Sequence, residues 1–402
     1  MKKILFYILP LLAILAVVSC SDDDEKVAKN ATLSITLKFP DGYTAADLSE
    51  ISVKVTNTQT SQTYDATKGD NDKYSVVVPS GEYQISVSGQ LPGYIKALNG
   101  LANVSVYADT EATVTLSEGS FSGLIFKEIY YSKVKKNGKT PYNDEFYELY
   151  NNSDEVVYLD NVIFGVLEGS QGILPSGWME NGELMKICAL TSYITAFPGN
   201  GTDYPLQPGK SVVIATKAMN HKDDPNGCPE SPVNLENADW EIYVGDYNQK
   251  DVDNPDVPNM NIIKQIGSVL VDFQVPYTGN AIIIARLPQG TDLNAFANDE
   301  SNLMTNPAST AATKYLIIPQ EYVLDGVDIV NTNASKRVKR LRPEIDAGTI
   351  HNTTDYCGLS IRRKVHEIKD GRVIYQDTNN SENDFLIDQV PTPGIHPTSV
   401  DN

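Results

Sequence analysis

The chain has 402 residues and a net charge of −20, from 52 acids against 32 Lys and Arg. Such a surface repels phosphate backbones, which excludes nucleic acid as a partner. With 41% hydrophobic residues and only four cysteines, packed apolar cores rather than a disulfide framework must hold the fold.

Met1-Lys2-Lys3 is a short positive start, and Ile4 to Val18 is an apolar run broken by Pro10. That run has the length of a signal-peptide core and is too short to cross a bilayer comfortably. It ends in Val17-Val18-Ser19-Cys20. Small and aliphatic residues leading to a cysteine resemble the bacterial lipobox, which implies cleavage after residue 19 and acylation of the Cys20 sulfur. Outer-membrane lipid, reached through those acyl chains, is then the first expected partner. Ser21-Asp22-Asp23-Asp24-Glu25 follows at once. An acidic run at that place resembles the export signal of Bacteroidetes surface lipoproteins, and it is also what a solvated, self-repelling tether would look like. The expected location is the outer membrane, lipid-anchored and exposed at the cell surface. About 380 residues remain, enough for two or three domains.

Residues 31–118 predict a first β-sandwich. Leu33, Ile35, Leu37 and Phe39 alternate with Thr32, Ser34, Thr36 and Lys38. Ile51, Val53 and Val55 repeat the pattern, as do Tyr83, Ile85 and Val87, then Val114 and Leu116. Period-two alternation places one face on a core and the other in water. Turn residues separate the runs at Pro40-Asp41-Gly42, Lys68 to Asn71 and Pro79-Ser80-Gly81. The stretch from Tyr74 to Ile85 resembles the closing hairpin of carboxypeptidase-regulatory, transthyretin-like domains, which implies a spacer or binding platform.

Residues 119–398 predict a second sandwich. Phe146-Tyr147-Glu148-Leu149-Tyr150-Asn151, an Asn-Ser-Asp turn and the return to Leu159 read as a hairpin. Further segments follow in order: Leu206-Gln207-Pro208-Gly209 leading into Ser211–Ala215, the apolar Ala281–Ala285, Gly358 to Arg363, and Asp384-Phe385 with Pro391-Thr392-Pro393-Gly394. Together they resemble the lamin-tail domain, an immunoglobulin-like sandwich without chemistry of its own. The layout is similar to an uncharacterised family of Bacteroidetes surface lipoproteins. Asp160-Asn161 departs from the family's Ser-Gly, and residues 165–205 and 216–275 read as insertions that carry both tryptophans, Trp178 and Trp240. The expected fold class is therefore all-β, with two β-sandwich domains.

No catalytic residue, metal site or cofactor is assigned. The four histidines, His221, His351, His366 and His396, form no zinc-binding helix motif, and no nucleophile elbow, P-loop or dinucleotide fingerprint occurs. His221 and Cys228 lack further ligands at zinc spacing. The Asp251-Val252-Asp253 start of a calcium loop runs into Pro255, and Asp377, Asn379, Ser381 and Asp388 lack the loop glycine. Cys188, Cys228 and Cys357 allow one disulfide at most.

Lys336, Arg337, Lys339, Arg340 and Arg342, followed by Arg362, Arg363 and Lys364, stand out against the acidic background. Arg340, Arg342, Arg362 and Arg363 are candidates to grip an anionic partner, or else they pair with surplus acids. The leading expectation is a non-catalytic binding or docking module at the cell surface, serving a TonB-dependent transporter or binding a surface glycan. The alternative is a hydrolase acting on extracellular glycan or peptide, with insertion-borne acids and Trp178 or Trp240 forming its cleft.

Overall fold

The computed structural model describes residues 29–401 except 49, 61, 70–72, 92–95, 121, 170–175 and 224. Cys20, the acidic run and the signal segment lie outside the described residues. The protein is all-β: its strands form two sandwiches, and the two α-helices among the described residues, Leu293–Asn298 and Ser381–Asp384, are short. Among the described residues no helix is long and apolar enough to cross a membrane.

In the first sandwich, Asn30–Lys38 buries every second residue, as its alternation requires. It pairs antiparallel with Lys73–Pro79 and parallel with Thr110–Thr115, so the first strand lies beside a late one. These strands and Thr67–Lys68 form a four-stranded sheet. It faces a five-stranded sheet ordered Thr63–Asp65, Glu50–Asn57, Gly81–Gln90, Lys96–Val106 and Ser117–Ser120. Leu33, Ile35, Val55, Tyr83, Ile85, Val87 and Val114 meet in one core. Burying each such side chain contributes about 1.5–3 kcal/mol.

The other face of the five-stranded sheet departs from expectation. Ser86, Ser88 and Asn99 point away from that core but are 6%, 6% and 0% exposed, because the second sandwich covers them. Asn99 Nδ2 donates to the Thr378 carbonyl at 2.9 Å, Ser88 Oγ to the same carbonyl at 3.2 Å, and Ser86 Oγ to the Ala347 carbonyl at 3.3 Å. Asn380 Nδ2 donates back to Ser86 Oγ at 3.2 Å. Gly119 allows this approach: a Cβ there would stand 2.6 Å from Asn379 Nδ2 and 2.8 Å from the Glu344 carbonyl oxygen.

The second sandwich packs a six-stranded sheet on a seven-stranded one. The six-stranded sheet runs Trp240–Glu241, Ser211–Ala215, Phe146–Asn151, Leu124–Tyr130, Ser360–Arg363 and Phe385–Gln389. In the other sheet Ile163–Leu167 lies between Ile187–Ala196 and Ala281–Ala285. Phe126, Tyr147, Phe164, Ile282 and Ile284 fill the space between the sheets.

Both sheets are also covered on their outer faces. Ile163, Ile283, Leu316 and Leu341 form a second core, Phe146 and Val213 pack under Val233 and Val257, and Tyr150 packs under Val373 and Tyr375. Phe146–Asn151 is therefore buried on both sides.

The segments read as insertions are integral to this body. Ile187–Ala196 is a central strand, bulged so that its first half pairs with Lys314–Pro319 and its second with Asn261–Ile266. Ser192 takes φ +62° at the changeover. Trp240, Ile242, Met260 and Phe273 belong to the central core.

Candidate functional site

The candidate arginines are tied down inside the protein rather than presented to a partner. Arg363, 2% exposed, donates from Nη2 to Asp325 at 2.8 Å and from Nη1 to Asp377 at 3.0 Å, with Asp384 at 3.5 Å. Its Nε reaches the Phe126 carbonyl at 2.8 Å. Burial, together with repulsion from Asp377, raises Asp325 and Asp384 above the usual carboxylate range, while the same acids hold Arg363 protonated. Arg362 makes a two-pronged bond to Asp401 at 2.9 and 3.0 Å. Arg340 donates to the Gly169 and Val338 carbonyls and stands 3.9 Å from Asp328. Arg342 pairs with Glu344 at 3.2 Å and Glu183 at 3.4 Å. The two basic runs do approach one another, but through Asp325 and Asp328 on the strand Val323–Asp328. Among the described residues they form no open anion-binding face, because internal acids and carbonyls meet each fork.

The tryptophans do not line a cleft. Trp240, 5% exposed, packs edge-on to Phe197 and Tyr204 in the central core, with ring centroids at 5.2 and 5.0 Å. Trp178, 7% exposed, donates Nε1 to Glu168 at 2.7 Å. Large aromatic surfaces at strand ends are worth more in the core than at an opening.

His221 bonds to Tyr142 and the Lys217 carbonyl, Asp251 accepts from Val244 N and Val252 N, and Asp377 serves Arg363. Among the described residues, no three His, Cys, Asp or Glu side chains are grouped to hold a metal ion. Cys188, Cys228 and Cys357 are free thiols.

Two places that the sequence did not single out carry the features of a site. The first is a cavity of about 350 Å³ where the sandwiches meet, within the range of small-molecule pockets. Glu118 and Gly119 of the first sandwich close one side, and Lys186, Glu321, Asp325 and Glu344 of the second line the other.

The second is the loop end of the second sandwich, where residues 131–136, 274–279 and 352–359 converge. Glu145 is fully buried there, accepting from Tyr147 OH at 2.8 Å and Val275 N at 3.0 Å, with Lys133 Nζ at 3.2 Å. Desolvation pushes its carboxyl up to about 7 against the pull of Lys133, and desolvation pushes neighbouring Asp144 up to about 6.

Above these acids, Lys133 and Tyr356 hold φ of +59° and +55°. A bulky residue in that region costs about 1–3 kcal/mol, which the surrounding bonds must offset. Gly358 N donates to the Lys133 carbonyl at 3.0 Å, and Ser132 Oγ to the Leu359 carbonyl at 2.7 Å. Tyr356 stacks on Tyr277, ring centroids 4.2 Å apart and planes at 27°, and Lys135 Nζ lies 4.4 Å from the Tyr356 centroid. Only folding brings these three loops together, so neither residue type nor spacing signalled them.

Fold and site together define an all-β protein of two clamped sandwiches with a junction cavity and a strained aromatic loop end. Residues 207–392 match a family described as "Protein of unknown function (DUF4876)". The chain is similar to the crystal structure of a DUF4876 family protein from Bacteroides thetaiotaomicron VPI-5482. That likeness has 28% identity, a TM-score of 0.58, and covers 92% of this chain and 99% of that one. DUF3823 family proteins from Parabacteroides merdae and Bacteroides ovatus match 35% of the chain at 9% and 15% identity, each with a TM-score of 0.17. They cover 68% and 66% of those chains. No curated protein matches.

Proposed function

We propose that this chain is a surface lipoprotein, held in the outer membrane by acylated Cys20, whose two sandwiches act as a non-catalytic binding or docking module. The first sandwich is the transthyretin-like platform and the second is lamin-tail-like, an immunoglobulin-like fold with covered faces. The observation that carries the binding reading is the junction. A polar interface, closed by side-chain-to-carbonyl bonds and dependent on Gly119, clamps two separately cored bodies around a fixed cavity. Asp325, the shifted acid that lines the cavity, spends its lone pairs on internal donors: Phe126 N and Arg363 bond its Oδ2 and Gly326 N its Oδ1. The second partner, beyond membrane lipid, is a surface glycan or a neighbouring TonB-dependent transporter.

Membrane fractionation tests the anchor. Cys20→Ala should move the protein into soluble fractions or leave it unprocessed, and a variant that still partitions with membranes would sink the lipoprotein reading. Incubation with extracellular polysaccharides and peptides should release no fragments. Steady release, lost on Glu321→Gln or Glu344→Gln in the junction cavity, would make it a hydrolase instead.

A further inference from the structure

We propose that Lys133 and Gln274 form an intramolecular isopeptide bond, the Lys133 amine displacing the Gln274 side-chain nitrogen as ammonia while Glu145 carries the protons. The inference concerns the loop end of the second sandwich and stands whether or not the chain is a binding module. Lys133 Nζ lies 2.5 Å from Gln274 Oε1 and 3.2 Å from Glu145 Oε1. With a carbonyl bond of about 1.2 Å, the amine is within about 3.7 Å of the carboxamide carbon it would attack. Nucleophile, electrophile and proton carrier therefore meet at one point. Lys133 is 4% exposed and Glu145 0%, so the three groups meet away from bulk water.

The fold holds each group in place from its backbone. Lys133 keeps φ +59° under the bond from Gly358 N to its carbonyl at 3.0 Å. Gln274 is pinned from both sides: Asn143 Nδ2 donates to the Phe273 carbonyl at 3.0 Å, and Val275 N donates to Glu145 Oε2 at 3.0 Å. Tyr147 OH donates to the same Oε2 at 2.8 Å, which leaves Oε1 to the Lys133 amine. Amine and carboxamide are thus held near attack distance before any reaction, which removes most of the entropy from the barrier. The last torsion of a glutamine is broad, so the carboxamide can turn its carbon to the amine without moving the backbone.

The step balances without an outside reagent. Glu145 takes a proton from the Lys133 ammonium, and the freed Nζ lone pair forms a bond to Gln274 Cδ. Glu145 then relays a proton from Nζ to the Gln274 nitrogen, the Cδ–Nε2 bond breaks, and ammonia leaves. Gln274 is only half-buried, which gives the ammonia an exit. The Glu145 carboxyl ends protonated beside a neutral amide. That state suits it, because desolvation pushes the carboxyl up to about 7 even with the Lys133 cation in place. Lys127, 0% exposed, is the contrast: its partners are Glu148, Glu128 and the Ile395 backbone carbonyl, none of which can release ammonia.

Peptide mapping by mass spectrometry tests the bond on the full chain, purified from cells, unfolded and digested with trypsin. The expected species joins residues 128–135 to residues 265–286, uncut after Lys133 and lighter by one ammonia than the two peptides together. Lys133→Arg, Gln274→Ala and Glu145→Ala should each lose that species and give separate peptides of full mass, on chains whose circular dichroism spectrum matches the wild type. Separate peptides from the wild type overturn the bond, and that result needs no variant to fold. A linked species that persists in Gln274→Ala overturns the pairing, and one that persists in Glu145→Ala overturns the part given to Glu145.

Discussion

Arg363 shows how a single residue can belong to the core and still look like a ligand-binding group. Its counter-charges come from residues 325, 377 and 384, all buried or nearly so. Arg363→Ala would strand these acids without a cation, at a cost of about 3–5 kcal/mol in urea unfolding. Arg363→Lys, which keeps charge but not the fork, should fall between.

Glu145 makes a pH prediction. Burial raises its folded pKa to about 7, so between about 4.5 and 7 the folded state holds a proton that the unfolded state has released. Its contribution to stability is therefore present at low pH and is lost as pH rises towards 7. Glu145→Gln should remove one proton from the slope of unfolding free energy against pH across that window. An unchanged slope would show that the carboxyl titrates normally.

At the scale of elements, alternation sorted the first sandwich correctly where one face meets the core. Leu33, Ile35, Val53, Val55, Ile85 and Val87 all point inward and are buried. It could not tell what covers the second face. The alternation of Tyr83, Ile85 and Val87 turns Ser86 and Ser88 towards water, because small polar residues suit water as well as a bonded interface, and only the partner's carbonyls decide between them.

That interface is polar, so separation leaves little apolar surface bare. Residues 29–120 expressed alone should give a β-type circular dichroism spectrum and a cooperative melt. A random-coil spectrum would show that the second sandwich is needed to fold the first. In the second sandwich the same argument inverts. Phe146–Asn151 is buried on both faces because segments far along the chain, 216–258 and 365–375, lie over its sheet.

For the whole molecule, the proposed lipoprotein reading joins charge to anchoring. A net charge of −20 repels like-charged surfaces, and on that reading Asp22 to Glu25 would extend the repulsion to the anchor. Replacing Asp22, Asp23, Asp24 and Glu25 with alanine should keep the lipid and the fold but strand the protein on the inner leaflet. Protease shaving of intact cells reads this directly: equal digestion of variant and wild type would leave the acidic run as a tether and nothing more.

The sequence alone determined the all-β class and the inward residues of the first sandwich, because period-two burial and turn chemistry are local properties that each strand carries by itself. Its resemblances also pointed to a second sandwich, whose matched segments at 146–151, 211–215 and 360–363 lie in one sheet. Tertiary structure alone decided the fate of the charged and aromatic residues. Whether Arg340 and Arg363 face a partner or an internal acid depends on residues 12 to 171 positions away, and their partners lie inside. Trp178 and Trp240 went to the interior, while Tyr277 and Tyr356, unremarkable in sequence, stack half-buried at the loop end. Long-range contact sets desolvation, and desolvation decides whether a polar or aromatic group is structure or site.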